Sequence, residues 1–507
     1  MKSNVAIMGA GPGGLASAML LAAKGFKVDV YEKMDRVGGR TSAITEQGYT
    51  FDMGPTFFLY PQILREIFSQ CGYDLDQEVE MVRLDPQYHI IFENQADLRA
   101  TADIEKLKAE ISRFAPEDAQ NIEQFMADNR RKLELFEPIL KRPFSKLTDL
   151  ISKDTLKSLS MMRPHQSVDQ DLQRYFKNPL TRLAFTFQSK YLGMSPFRCP
   201  SLFSILSFME YEHGVYHPIG GCNAVMQAMA RVAERMGVNI HLNTEVTQFN
   251  FVGKRVTGLH TDKGLFSCDQ LVVNADFSHV MDRYVPDQLL SRWKSKKLAK
   301  KKFSCSTFML YLGIKGSYDL EHHTIYLSEQ YQDNIRSIED GGTPPVSPSF
   351  YIQNASRTDK TLAPEGDSAL YVLVPVANQQ NAPVDWATQT AAYRADVIER
   401  LKVLGLDDLE DRIVYERCMT PDHWSDEMAV HYGATFNLAH SLDQMLMLRP
   451  QNRFNELDGV YLVGGGTHPG SGLPVIFEGA RITSELLAQD VLSTNYELDT
   501  VSPMEAC

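Results

Sequence analysis

Residues 4–32 constrain this chain more than any other stretch. They read NVAIMGAGPGGLASAMLLAAKGFKVDVYE. A short apolar run (Val5, Ala6, Ile7, Met8) enters Gly9-Ala-Gly11-Pro12-Gly13-Gly14, a small-residue helical stretch follows, and a second strand-like run, residues 28–31, ends on Glu32. Strand, glycine turn, helix and strand in that order form the unit that grips a dinucleotide. Gly9 permits the tight turn, Gly11 lets the backbone approach a pyrophosphate, and Gly14 lets the helix lie close to the strand. The helix N-terminus offers free N–H groups and a partial positive charge to phosphates. Glu32 falls where a carboxylate accepts both ribose hydroxyls, and its charge argues against a 2′-phosphorylated cofactor. A bare glycine-rich turn in an ordinary α/β domain is the plain alternative, but here both flanks fit. A secretory signal is excluded because the glycines interrupt the apolar run and the helix leads into another strand.

With 507 residues the chain exceeds one typical core, so two or more domains are expected. The net charge of −13, from 51 basic and 64 acidic residues, argues against a nucleic-acid partner. Seven cysteines are scattered without a CxxC pair, which suggests neither a disulfide framework nor a zinc site and fits a reducing cytosol; no metal ligands are expected. No apolar run reaches the roughly 20 residues needed to span a bilayer, although association with one leaflet stays open.

Further along, Lys33-Met-Asp-Arg36-Val-Gly38-Gly39-Arg40-Thr41 and Asp52-Met-Gly54-Pro55-Thr56 read as turns beside a long ligand, or more plainly as two surface turns. Residues 61–165 read as mostly helical and amphipathic, with Ile104, Leu107, Ile111 and Phe114 at helical spacing. Residues 185–208 are unusually apolar, as core or as the wall of a greasy tunnel. A helix is expected over residues 224–236, strands over 238–241 and 244–249, a hairpin over 256–266, and a buried strand over 271–276 that ends on Asn274-Ala275-Asp276. Residues 292–303 form the one dense basic run. Trp293, Leu298 and Phe303 among its lysines suit either a solvated helix face or docking on anionic lipid. Phe308–Leu312 and residues 369–375 are further strand candidates, and residues 459–474 bring a strand into a second glycine-rich turn before a helix over residues 475–492.

A dinucleotide unit at the start and a glycine-rich strand–helix junction near the end resemble the flavoprotein fold of amine oxidases and their relatives. The string LVGGGTHPGSGLP, residues 462–474, resembles the signature of bacterial carotenoid desaturases of the phytoene and diapophytoene type. YLGMSP (191–196), YHPIGG (216–221), VVNAD (272–276), SCSTF (304–308), His322-His323, LAPEG (362–366), residues 373–375 and GATF (433–436) agree with it. The likeness therefore runs nearly from end to end.

The resemblance implies an α/β fold: a Rossmann-like FAD-binding domain, discontinuous in sequence (residues 1–85, 215–290 and 455–507), with an inserted α+β domain for substrate and membrane (86–214 and 291–454). The helical, membrane-facing part of that insert is expected within 86–214. It implies FAD as cofactor, held by Gly9, Gly11, Pro12, Gly13, Gly14, Glu32, Lys33, Gly39, Arg40, Thr41, Gly54, Pro55, Thr56, Val246, Asn274, Asp276, Gly465, Gly466, Pro474, Val475 and Ile476. It also implies a membrane-dissolved C30 or C40 isoprenoid as substrate, quinone or oxygen as electron acceptor, and a cytoplasmic location at the inner face of the cell membrane. One departure touches the substrate. Phe477-Glu478-Gly479-Ala480-Arg481 puts a carboxylate and an arginine where many phytoene desaturases have a small, serine-containing helix start, which resembles members acting on C30 chains or on carotenoid ends.

The chemistry is removal of two hydrogens from a –CH2–CH2– beside a polyene. Flavin accepts the hydride, so neither a catalytic triad nor a metal cluster is needed. His468 and Glu478 are the candidate proton acceptors. His468 reads equally as a cap on the turn beside the cofactor, and Glu478 as the (i, i+3) partner of Arg481. His322-His323 reads as a structural pair. A terminal oxidase or oxygenase, a hydroxycarotenoid desaturase and a polyene isomerase are the alternatives within the family. A flavin-free prenyl-lipid-binding protein and a nicotinamide dehydrogenase are those outside it.

Overall fold

The computed structural model describes residues 3–144, 163 and 165–500. Its organising element is a five-stranded, all-parallel sheet drawn from distant parts of the chain. In spatial order its strands are Asn239–His241, Lys27–Tyr31, Asn4–Met8, Gln270–Val273 and Val460–Leu462. Leu271-Val-Val pairs in register with Ala6-Ile-Met on one side and Val460-Tyr-Leu on the other, so the middle of the sheet is a continuous apolar layer. The helix Pro12–Ala23 lies on it, flanked by Cys222–Arg235 and Leu473–Thr500. Every residue from Gly13 to Leu21 is buried, which is why this helix carries small and apolar residues on all its faces. The other face of the sheet takes a three-stranded antiparallel sheet, Val246–Val252, Arg255–Thr261 and Gly264–Ser267, with the helix Phe277–Tyr284.

The second large element is a seven-stranded mixed sheet, ordered Ile413–Met419, Ser306–Ile314, Ser368–Val376, Phe350–Asn354, His323–Leu327, Tyr88–Phe92 and Asp97–Ala100. All nine residues of Ser306–Ile314 are buried. The helix Trp386–Leu401 packs against residues such as Phe308, Leu310 and Val372, covering one face. The other face looks toward the first sheet.

Two expectations need correction here. Residues 61–165 are not mostly helical. Helices Gln62–Gln70, Ile104–Ser112 and Ile122–Leu140 are present, but Met81–Arg83, Tyr88–Phe92 and Asp97–Ala100 are strands. The buried residues Tyr88, Ile90 and Phe92 alternate at period two, and the helical spacing of 104–114 next door masked them. Residues 145–162 of that stretch lie outside the described residues. The basic run over 292–303 does not turn its apolar members outward either. Trp293, Leu298 and Phe303 are all buried, and Trp293 packs edge-on against Phe277. What this run leaves at the surface is mainly its lysines, with Ala299 among them. No described helix is long and apolar enough to cross a membrane.

Candidate active site

Between the two sheets lies a cavity of about 1030 Å³. Its first end is built by the turn after the Asn4–Met8 strand. Gly9 adopts φ +95°, and a side chain there would strike the Asn274 carbonyl oxygen. The Asn274 amide nitrogen in turn donates to the Gly9 carbonyl at 2.9 Å, tying the first glycine turn to the end of the Gln270–Val273 strand. Gly11 caps the helix with no side-chain partner, so the first-turn N–H groups stay available at the cavity wall, which Gly11 and Pro12 help to form. Glu32 is buried at the end of the second strand, where its oxygens accept from the backbone N–H groups of Ala10 (2.8 Å) and Met34 (2.9 Å). Burial raises its pKa and those two bonds hold it back. Each oxygen keeps a lone pair for a further donor.

The wall continues through Lys33, Gly39, Arg40, Thr41, Gly54, Pro55 and Thr56, then Val246, Asn274 and Asp276, then Gly465, Pro474, Val475 and Ile476. Arg40 sits in the short 3-10 turn Gly39–Thr41 and donates to the Thr435 carbonyl at 2.6 Å rather than to a carboxylate. Burial lowers its pKa, against the pull of Asp276. A half-buried arginine and an uncapped helix N-terminus on the same cavity wall suit an anion.

Three of the expected cofactor residues do not line this cavity. A Cβ on Gly14 would lie 2.1 Å from the Gly9 carbonyl oxygen, and one on Gly13 would lie 2.8 Å from both Asn274 Oδ1 and a Val463 methyl. A Cβ on Gly466 would lie 3.0 Å from Phe277 Cβ. These three glycines let the helix, the turn and the strand ends close on one another.

The far end of the cavity is greasy. Phe57, Ile63, Leu133, Leu140, Ile205 and Met209 line it from the helical side, and Met309, Ile325, Phe350 and Leu373 from the seven-stranded sheet. Residues 185–208 therefore serve both roles considered for them: Phe185 and Phe208 are core, while Phe187, Leu192, Ile205 and Leu206 reach the cavity. Sequence reasoning missed Lys190, whose pKa burial lowers to about 8 and whose ammonium lies 4.6 Å above the Tyr331 ring. It also missed Tyr351 and Tyr371, whose alternating positions on strands were the only signal available.

The two candidate bases separate. His468 is buried behind the turn and is not among the cavity-lining residues. Its Nε2 lies 3.0 Å from the Arg142 carbonyl oxygen, and burial lowers its pKa to about 4. That is the turn-capping role. Glu478 does reach the cavity, but its carboxylate lies 3.4 Å from Arg481 Nη1, and Arg481 also pairs with Glu66 at 2.9 Å. Burial raises the Glu478 pKa.

The family model for flavin containing amine oxidoreductases matches residues 12–492. The chain belongs to that family. Within it, the chain is 43% identical over 96% of its length to a 4,4′-diapophytoene desaturase (4,4′-diapolycopene-forming) of Methylomonas, covering 95% of that protein. It is 36% identical over 95% of its length to a phytoene desaturase (neurosporene-forming) of Rhodobacter capsulatus, covering 93% of it. Among solved structures, an oxidoreductase from Methanosarcina mazei shares the fold with a TM-score of 0.65 at 16% identity, over 95% of this chain and 100% of that one. This carotenoid desaturase is an FAD-dependent oxidoreductase, and the uncapped helix, the buried Glu32 and Arg40 fit that cofactor. A nicotinamide dehydrogenase is thereby set aside.

Proposed function

We propose that this desaturase acts on an acyclic C30 isoprenoid of the diapophytoene type, taking successive pairs of hydrogens from it. One observation carries the reading: the polar cradle of Gly11, Glu32 and Arg40 opens without a break into an apolar chamber long enough to involve both sheets. A hydrocarbon needs no hydrogen-bonding partner, only contact and exclusion of water. The 43% identity to the diapophytoene desaturase of Methylomonas supports the shorter chain.

FAD supplies the hydride acceptor when bound. We assign Glu32 and Lys33 to its ribose end, and the helix N-terminus after Gly11 with Gly39, Arg40 and Thr41 to its phosphates. Gly54, Pro55 and Thr56, with Gly465 and residues 474–476, take its ring end. Val246, Asn274 and Asp276 complete the wall, while Gly13, Gly14 and Gly466 act by close packing. Glu478 stays in its pair with Arg481 as a shaping rather than a reacting group.

The substrate dissolves only in a bilayer, so entry is assigned to one leaflet at the inner face of the cell membrane. A quinone in that leaflet, or oxygen, takes up the electrons. The test is reconstitution of the FAD-loaded protein in liposomes with C30 and C40 precursors. New polyene absorbance and loss of two mass units per step are expected from the C30 precursor. Gain of oxygen or an unchanged mass would give the protein to the oxidase or isomerase branch, and faster turnover of the C40 precursor would overturn the chain-length assignment.

A further inference from the structure

The basic run over residues 292–303 has no part in the reading above. Six of its residues are lysines, in a chain whose net charge is −13. Its apolar members fix it to the body of the protein. Leu298 is 1% exposed, and the buried Trp293 ring carries the Arg292 guanidinium at 4.9 Å and the Lys301 ammonium at 5.4 Å. Lys296, Lys297, Lys300 and Lys302 are left exposed. Most of the nearby carboxylates are engaged elsewhere. Asp287 accepts from the Ser295 N–H at 2.9 Å and from its hydroxyl at 3.2 Å, and Glu456 accepts from the N–H groups of Ser291 and Arg292. Asp443 lies near Lys301 and Lys302. Among the described residues, Lys296, Lys297 and Lys300 have no carboxylate within ion-pairing distance.

A second segment lies alongside. The Arg292 guanidinium donates to the Met447 carbonyl at 3.2 Å and to the Leu448 carbonyl at 2.6 Å. At the other end the Gln444 amide bonds the Lys302 backbone in both directions, accepting at 3.0 Å and donating at 2.8 Å. Around these clamps the segment turns two leucines outward: Leu442 is 50% exposed and Leu448 is 40% exposed. It also faces inward. Met445 is buried in one apolar cluster with Phe136 and Ile205, and Leu446 packs against that cluster, as do Leu133, Leu140 and Met209. Leu133, Leu140, Ile205 and Met209 line the cavity. The lysines and the two exposed leucines are thus held side by side, on a surface that backs onto the helical wall of the apolar chamber.

We propose that this surface is the face on which the protein docks to an anionic bilayer. The proposal rests on the reading that substrate enters from one leaflet, and it names the face that meets that leaflet. Lysines held off the protein body attract acidic headgroups over a Debye length, about 8 Å at physiological salt. Leucines beside them enter the boundary between headgroups and acyl chains, and stable attachment to a leaflet takes both kinds of contact. A face that only had to be solvated would gain nothing from Leu442 and Leu448. With 64 acidic residues against 51 basic ones, the protein as a whole is repelled by an anionic leaflet, so a local positive patch fixes the orientation in which it approaches. Docked this way, Leu133, Leu140, Ile205 and Met209 stand behind Met445 and Leu446 on the bilayer side, and a hydrocarbon leaving the acyl layer meets apolar side chains.

The test is co-sedimentation of the FAD-loaded protein with vesicles of phosphatidylcholine, with and without phosphatidylglycerol. Wild type is expected to bind the anionic vesicles alone and to leave them at high salt. Lys296→Gln, Lys297→Gln and Lys300→Gln combined are expected to weaken binding about a hundredfold, at about fivefold per lysine. Leu442→Ser with Leu448→Ser is expected to weaken it about tenfold. Both variants are expected to keep the FAD content of wild type and its turnover of precursor in nonionic detergent micelles, while turnover from liposomes falls. Variants that bind anionic vesicles as wild type does would overturn this docking face and leave leaflet entry standing, and either variant decides the matter if the other does not fold. Wild type that binds no vesicle would overturn leaflet entry and the docking face together. Loss of a concentration-dependent dimer in the variants, with vesicle binding intact, would give the patch to a second copy of the chain and overturn the proposal.

Discussion

Glu32 orders the turn through the N–H groups of Ala10 and Met34 while presenting its remaining lone pairs to the cavity. Glu32→Ala is expected to weaken FAD binding by about 2 kcal/mol, the scale of a lost charge-assisted hydrogen bond, as measured by flavin fluorescence in equilibrium dialysis. Gly14→Ala places a methyl 2.1 Å from the Gly9 oxygen and is expected to abolish FAD retention altogether, because the turn itself must open. The close packing at Gly14 and the place of Glu32 at the end of the second strand were legible from the sequence, since the turn, the helix and Glu32 are contiguous. The role of His468 was not. Its histidine-in-glycine-turn setting looks the same whether the ring faces a cofactor or the core, and only the fold decides. Its lowered folded-state pKa of about 4 makes a pH prediction. The unfolded chain binds a proton there below about pH 6.5 while the folded one does not. Stability is therefore complete above that pH and falls by roughly 3 kcal/mol as the pH drops from 6.5 to 4. Urea melts of wild type and His468→Gln over that window are expected to converge at the acid end.

The helix Ile122–Leu140 supplies Leu133 and Leu140 to the chamber and is fixed from behind by Lys132, which is 2% exposed. The Lys132 ammonium pairs with Asp171 at 2.8 Å and donates to the Ser204 hydroxyl at 3.1 Å. Asp171→Ala would leave a buried ammonium without a carboxylate, and a loss of about 3–5 kcal/mol is expected in chemical denaturation. This anchor had no local signature: nothing in the residues around Lys132 or Asp171 marks either charge as buried. The same limit hid the strands Tyr88–Phe92 and Asp97–Ala100. Tyr88–Phe92 pairs with Asp97–Ala100 on one side and on the other with His323–Leu327, more than 200 residues further along the chain, so much of the context that makes them strands is absent from their own neighbourhood.

Over the whole molecule, the cavity takes its walls from the opening turn, from both sheets and from the start of the last helix. A ligand touching all of these stabilises the fold by mass action, about 2.7 kcal/mol at a hundredfold excess over its dissociation constant. Stripping FAD with acidic bromide is expected to lower the melting midpoint, and adding FAD back to restore it, as read by calorimetry. The order in which the parts are made also matters. The central sheet lacks its edge strand Val460–Leu462, and the cavity lacks Gly465 and residues 474–476, until a ribosome has translated almost everything before them. The full set of contacts to the prosthetic group can close only after those late segments have emerged and folded back onto the opening turn.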